Sequence, residues 1–312
     1  MKIVFIADEF KLRTAAQQLL DRFLMGYPTA GRFHKPECRV TLITPEKNSI
    51  IEQRIKDFGL EWQPKMVTDA DAAMIFTRTP PQSASWRRSF AYAALFPLTH
   101  GTGIGGTAVR GAWLLPDIAA AKNRRLATGL VIAQGPYPMA ELESVDALLP
   151  LIWREGAKLR TVTHLAGNDF WSILKRDYWP LVKSAISRSD SPQGDAVRDG
   201  RTEDLARLGL LEGLVKSPRG WLVEHADGFR YVIAVMDGAV NDYNLAVQTR
   251  TGGIISAQVH RGPPPEEHHY SRLAALLEKY FSTGVPPWPR AQGVYTSELM
   301  NHLNARYGER NR

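Results

Sequence analysis

Residues 1–10 read MKIVFIADEF. Lys2 to Ala7 is an apolar run, β-branched and aromatic, of strand length, and Asp8 and Glu9 come directly after it. The period then changes. In Thr14 to Met25, TAAQQLLDRFLM, residues Ala15, Leu19, Leu20, Phe23 and Leu24 fall on one helical stripe. Thr14 is placed to cap that helix, with Gln17 three residues on as in a capping box, and Gly26 and Pro28 stop it. Cys38 to Ile43 (CRVTLI) predicts a second strand. Ser49 opens a helix, IIEQRIKDF, that Gly59 ends, and Ala72 to Thr77 (AAMIFT) predicts a third strand. Strand, helix, strand, helix, strand is the order of right-handed parallel crossovers, so this part predicts half of a doubly wound α/β domain.

From Pro80 to Gly111 the text changes to prolines, aromatics and alanines, then THGTGIGGTAVRG at Thr99 to Gly111. Gly101, Gly103 and Gly106 there spell G-x-G-x-x-G. A dinucleotide turn needs a buried strand before the motif and a helix opening on it. AALFPLTH, with its proline, precedes the motif, and Gly111 and Pro116 interrupt the residues on its C-terminal side. The stretch therefore predicts a tight crossing between domains, too short for the last two strands of a full sheet. His100 and Arg110 bracket it, and an arginine beside glycine backbone can hold a carboxylate or phosphate.

Beyond it the pattern is antiparallel. Leu126 to Ala133, Leu159 to Leu165, Trp221 to Glu224, Phe229 to Val235, Asp242 to Gln248 and Gly253 to Val259 are strand-like, with a hairpin at Asp227-Gly228. Helices are predicted at Ala140 to Arg154, Ser271 to Phe281 and Val294 to Leu303. The expected organisation is α/β plus α+β: a shortened Rossmann-like domain over 1–98, and an α+β domain with an open antiparallel sheet over 99–290. A helix over 291–312 is expected to return to the first domain.

The 312 residues, 44% hydrophobic and 23% charged, are ordinary globular usage. No apolar run reaches the roughly 18 residues of a membrane span, and the acids at Asp8 and Glu9 argue for a first strand over a signal peptide. The expectation is a cytoplasmic protein. A single cysteine, Cys38, excludes a disulfide framework and reads as a small core residue. Net charge is +7, but the basic groups Arg87-Arg88, Lys122 to Arg125 and Arg306 to Arg312 are short and lack interleaved aromatics. They suit a solvated surface or an anionic small substrate, not nucleic acid.

Several polar groups are candidate site residues. His164, Asn168 and Asp169 in THLAGNDFW come after a strand, where imidazole and carboxylate can act as acid and base. Asp242 and Tyr243 can bind a substrate hydroxyl or serve an edge-strand network. Arg188, Asp190, Ser191, Asp199, Arg201 and Asp204 read as loop locks. His268-His269 read as exposed loop, and no His, Asp or Glu set has metal-ligand spacing. No G-x-S-x-G elbow is present.

LDRFLMGYPTAGRFHKP at Leu20 to Pro36, SAISRSDSPQG at Ser184 to Gly194, DGRTEDLARLGLLEGLVKSP at Asp199 to Pro218 and DGFRYVIAVMDGAVNDYNLA at Asp227 to Ala246 resemble one branch of proteins. That branch is related to the glucose–fructose oxidoreductase/inositol dehydrogenase (Gfo/Idh/MocA-like) superfamily. The resemblance runs over about Lys2 to Phe76 and from Thr163 to the C-terminus. It implies a Rossmann domain, a sheet domain, NAD or NADP between them, a sugar or polyol substrate, and a homodimer formed through open sheets. The cofactor turn would then be Ala7, Asp8 and Glu9, where dehydrogenases of the superfamily carry glycines. The resemblance also implies a catalytic lysine in the stretch between Thr77 and Gly111, yet no lysine lies between Lys65 and Lys122.

Three functions stay open. One is a nicotinamide-dependent oxidoreductase of a small polar metabolite. Another is a cofactor-free isomerase, epimerase, lyase or hydrolase using His164, Asp169, His100 and Arg110 at the interdomain cleft, with Asn168, Asp242 and Tyr243 as substrate-binding candidates. The last is a non-catalytic subunit of a hetero-oligomer.

Overall fold

The computed structural model describes residues 1–65, 69–78, 88–92, 103–115, 125–190, 205–262 and 268–310. The chain forms two compact units: residues 1–112 with 261–298, and residues 113–260 with 299–312.

In the first unit come β1 (Lys2–Ala7), α1 (Ala15–Met25), a hairpin of β2 (Tyr27–Thr29) and β3 (Arg32–His34), then β4 (Arg39–Ile43). After these come α2 (Ser49–Phe58), β5 (Glu61–Gln63), β6 (Ala72–Phe76), β7 (Ser89–Tyr92) and β8 (Ile104–Gly106). The sheet is six-stranded and parallel, in the order β5-β4-β1-β6-β7-β8. Its alternate residues serve two cores: Ile3 and Phe5 join Leu19, Leu20 and Phe23 of α1, while Val4 and Ile6 pack with Ala73 and Ile75. The last two strands, expected to be missing, are present but only four and three residues long.

The glycine stretch is therefore no domain crossing, and Gly103 to Gly106 form no phosphate turn. Gly101 and His100 lie outside the described residues. β8 is the edge strand of this sheet, and a Cβ on Gly103 would sit 2.4 Å from Ser89 Oγ of β7. Glycine serves close strand approach here.

The second unit runs through β9 (Trp113–Leu115), β10 (Leu126–Ala133), α3 (Met139–Ile152) and β11 (Leu159–Ala166). Next comes a helix in three parts: α4 (Gly167–Ile173), a π turn over Leu174–Tyr178, and α5 (Trp179–Ile186). Pro180, which has no N–H to donate, stands just past the π turn. α6 (Leu211–Leu214), β12 (Arg219–His225), β13 (Arg230–Val235), β14 (Tyr243–Thr249) and β15 (Ile254–His260) complete it.

These strands form one sheet, β11-β12-β13-β10-β14-β15-β9. It is mixed, because β10 and β13 lie side by side and run parallel. It is an open sheet with β11 and β9 at its edges. Leu130, Ile132, Val232, Ala234 and Ala246 face Phe170, Leu174 and Leu181 of the three-part helix. The opposite side packs under α3, whose Leu142, Val145, Leu148 and Leu149 are buried. The hairpin at Asp227-Gly228 forms as expected, with Gly228 at φ +83° and Asp227 Oδ1 accepting from the Phe229 N–H.

α7 (His268–Thr283) belongs to the first unit, and α8 (Arg290–Arg310) is divided between the two. α7 packs on α1, and Arg22 Nε donates to Ser271 Oγ at 3.1 Å. A Cβ on Gly111 would lie 1.9 Å from the His269 carbonyl oxygen, so glycine lets α7 approach the 3-10 turn Ala108–Gly111. These contacts move the first unit's edge past position 98 and bring 261–298 into it. The start of α8 groups with the first unit and its C-terminal turns with the second. His269, expected in exposed loop, is buried at the start of α7.

Candidate functional site

Two places matter chemically. The first is the turn between β1 and α1, seven residues from Asp8 to Thr14 with no glycine. Ala7 is buried, and Phe10, only 2% exposed, is packed into the core under α1. Asn48, whose Oδ1 caps α2, donates through Nδ2 to the Phe10 carbonyl at 2.7 Å. Asp8 Oδ2 accepts from the Arg78 N–H at 2.9 Å just beyond β6, and Glu9 pairs with Lys11 at 2.5 Å. That hydrogen bond and the Lys11 charge hold the Glu9 carboxyl below the usual range. Thr14 Oγ1 accepts from Gln17 N–H, and Gln17 Oε1 accepts from Arg13 N–H at 2.8 Å. The expected capping box thus closes one residue early, on Arg13, and consumes donors at the helix entrance.

The second place lies in the second unit, around the end of β11 and the start of β12. His164, half-buried, pairs in register with Trp221, and their rings are 4.4 Å apart. Tyr307 of α8 meets the His164 ring edge-on at 6.1 Å and stacks on Tyr137 at 4.0 Å. Tyr137 donates to Asn304 Oδ1. Burial, then the Glu141 carboxylate, pushes the Tyr137 hydroxyl up to about 12, so it stays protonated. Near His164 in the same pair of strands, Arg219 Nε donates to Glu141 Oε1 at 2.6 Å and Nη2 to the Gly135 carbonyl at 2.9 Å. Trp221 Nε1 also reaches Glu141 Oε1, at 3.4 Å. Glu141 is fully buried, and its Oε2 has no hydrogen-bond partner among the described residues.

Of the predicted residues, His164 is on this corner, and Asn168 and Asp169 stand exposed in the first turn of α4, just past it. Asp242 and Tyr243 have structural partners. Asp242 accepts from Ser189 Oγ, the Asp190 N–H, Asn244 Nδ2 and Gln258 Nε2, and the Tyr243 hydroxyl donates to the Gln134 carbonyl. Arg110 belongs to the first unit. It donates to Gln292 Oε1 at 2.9 Å and lies over the Trp288 ring at 5.0 Å, which gives it a packing role in place of an anion clamp. Arg188 and Asp190 are loop locks, bonded to Ser256 and Gln258; Ser191, Asp199, Arg201 and Asp204 lie outside the described residues. Burial pushes the Cys38 thiol up to about 11, so it is no thiolate nucleophile at neutral pH. Among the described residues no group of three His, Cys, Asp or Glu is placed to hold a metal ion, and no helix is long and apolar enough to cross a membrane.

Glu141, Arg219, Trp221, Tyr137 and Tyr307 were not expected. Glu141 left no distinguishing trace, since α3 carries three acids, Glu141, Glu143 and Asp146.

No protein-family model matches the sequence, and no curated protein matches it. Solved structures do match. A myo-inositol dehydrogenase from Corynebacterium glutamicum superposes at a TM-score of 0.53 with 11% identity, over 97% of this chain and 96% of that one. A scyllo-inositol dehydrogenase from Lactobacillus casei gives 0.54 and 13%, over 97% and 94%. GenD2 from gentamicin A biosynthesis, in complex with NAD, gives 0.57 and 11%, over 97% and 92%. The chain has the two-domain fold of the inositol dehydrogenases.

An inositol-dehydrogenase fold raises the question of a dinucleotide at the β1–α1 turn. The residues present do not fit one. A pyrophosphate needs bare backbone N–H groups and close approach, supplied by glycines at a helix N-terminus. Here the turn has no glycine, Gln17 and Thr14 occupy entrance donors, and Asp8 and Glu9 add negative charge.

Proposed function

We propose that this chain acts on a small polar metabolite of the sugar or polyol class by acid–base chemistry, without NAD or NADP in its first turn. The observation that carries the reading is that turn, which has no glycine, carries Asp8 and Glu9, and is tied by Asn48 and Asp8. Such a turn offers a hydride carrier's pyrophosphate no glycine cradle, which favours proton transfer over redox chemistry on the inherited scaffold.

His164 is the titrating group in this reading. An imidazole changes charge near neutral pH, and the Trp221 and Tyr307 rings fix its plane. Proton removal beside a carbonyl, and its return on either face, would make the protein an isomerase or epimerase. Arg219, its charge balanced by Glu141, is held as a fixed guanidinium donor at the same corner. Asp169 and Asn168 are the exposed polar groups nearest in sequence and stand ready for substrate hydroxyls.

The test is deuterium uptake from heavy water into a panel of aldoses, ketoses and keto-cyclitols, with no nucleotide added, read by mass spectrometry. One class of substrate should exchange, and His164→Asn should slow it at least about a hundredfold at unchanged Tm. No exchange in the unmodified protein, or full exchange in the variant, contradicts the reading.

A further inference from the structure

A second pocket lies in the second unit, at the ends of its strands where Arg125 enters β10 and Arg250 leaves β14. The Arg250 N–H donates to the Arg125 carbonyl at 2.8 Å, so the two side chains spring from adjacent positions. Both are exposed, and among the described residues neither has an ion-pair partner. Arg154, just past α3, forms the third side. Its Nη2 binds Asp227 at 2.8 Å and lies 3.2 Å from His225 Nδ1, while its guanidinium stacks 4.4 Å above the Phe229 ring. The Arg154 Nε is buried without a hydrogen-bond acceptor among the described residues. Leu126 and Ile152 add apolar wall, and the cavity measures about 350 Å³, a size that takes a small organic ligand.

His225 is 2% exposed, and burial, then the Arg154 charge, lowers its pKa to about 4. It is therefore a neutral acceptor that orients Arg154 at physiological pH. Three guanidiniums then face one carboxylate. Two positive charges are left over, on side chains that would repel one another without an anion between them.

We propose that this pocket is a subsite for a phosphomonoester carried on a flat apolar body. The phosphate dianion matches the surplus charge, and guanidiniums bind its oxygens in pairs. Phe229, Leu126 and Ile152, each less than 9% exposed, form the apolar floor of the pocket. The inference is independent of the acid–base reading and stands or falls separately.

Phenyl phosphate is the probe, titrated calorimetrically into the full chain, with inorganic phosphate and benzoate alongside. The expected result is one saturable site for phenyl phosphate, with both other ions weaker. Arg125→Gln and Arg250→Gln, both at exposed positions, should each weaken it at least about tenfold. Arg160→Gln, an exposed arginine elsewhere in the same unit, should leave it unchanged. The proposal is overturned if phenyl phosphate fails to saturate at millimolar concentration, or if the two variants bind like the unmodified chain. It also fails if Arg160→Gln loses affinity equally, the sign of a diffuse basic surface, or if benzoate binds as tightly as the dianion.

Discussion

Arg219→Met is expected to destabilise the protein by about 3–5 kcal/mol, because it leaves the Glu141 carboxylate buried and without its cation. Glu141 has no exposed surface, and Arg219 is its ion-pair partner, with 18% of the side chain exposed. Methionine matches the stem of arginine, so little of the loss comes from packing. Among the described residues the other donor to this carboxylate is Trp221 Nε1 at 3.4 Å, a neutral group at long range, and Oε2 has none at all. Equilibrium denaturation in urea measures the loss. Removing the acid as well, in Glu141→Leu/Arg219→Met, should recover most of it, since a well-packed apolar pair often equals a buried ion pair. A single variant within about 1 kcal/mol of the parent would mean that the corner is wetter than described.

Phe10→Ala should cost about 3–5 kcal/mol, the range for emptying a buried aromatic site. Such a loss is far from what a surface turn produces, where most substitutions stay within about 0.5 kcal/mol. Phe10 is 2% exposed and packs in the same core as Ala7, Leu19 and Phe23. Its carbonyl is also held by Asn48, so the turn is anchored by backbone and side chain together. Thermal or urea denaturation reads the effect. A change below about 1 kcal/mol would show the phenyl ring to be dispensable and the turn free to rearrange around a ligand.

Much of the fold was legible because its long strands and helices carry clean periods. β1, α1, β10 and β13 lie within one or two residues of their sequence-based bounds. What escaped were elements too short to have a period. β7 is Ser-Phe-Ala-Tyr and β8 is Ile-Gly-Gly, and two glycines in three residues read as a turn. Only their pairing with β6 and with each other makes them strands.

The site was less legible for a related reason. Glu141 and Arg219 are 78 residues apart in sequence and meet only through the fold. Asp242 drew notice as a polar residue at a strand start, yet Ser189, Asn244 and Gln258 already take its oxygens. Residue type shows that a group can bind; which partner it already has is a property of the tertiary structure. The absence of glycine at Ala7 to Phe10 needed no structure, but the burial of Phe10 and the closing bond from Asn48 did.

The central claim is that the first turn of this inositol-dehydrogenase fold holds no dinucleotide. Calorimetric titration of the full chain with NADH and with NADPH tests it most directly. The account predicts no saturable heat with either nucleotide at millimolar concentration. Saturable micromolar binding of either one, strengthened on replacing Asp8 or Glu9 with lysine, would contradict it and place the pyrophosphate on the very turn argued to be closed.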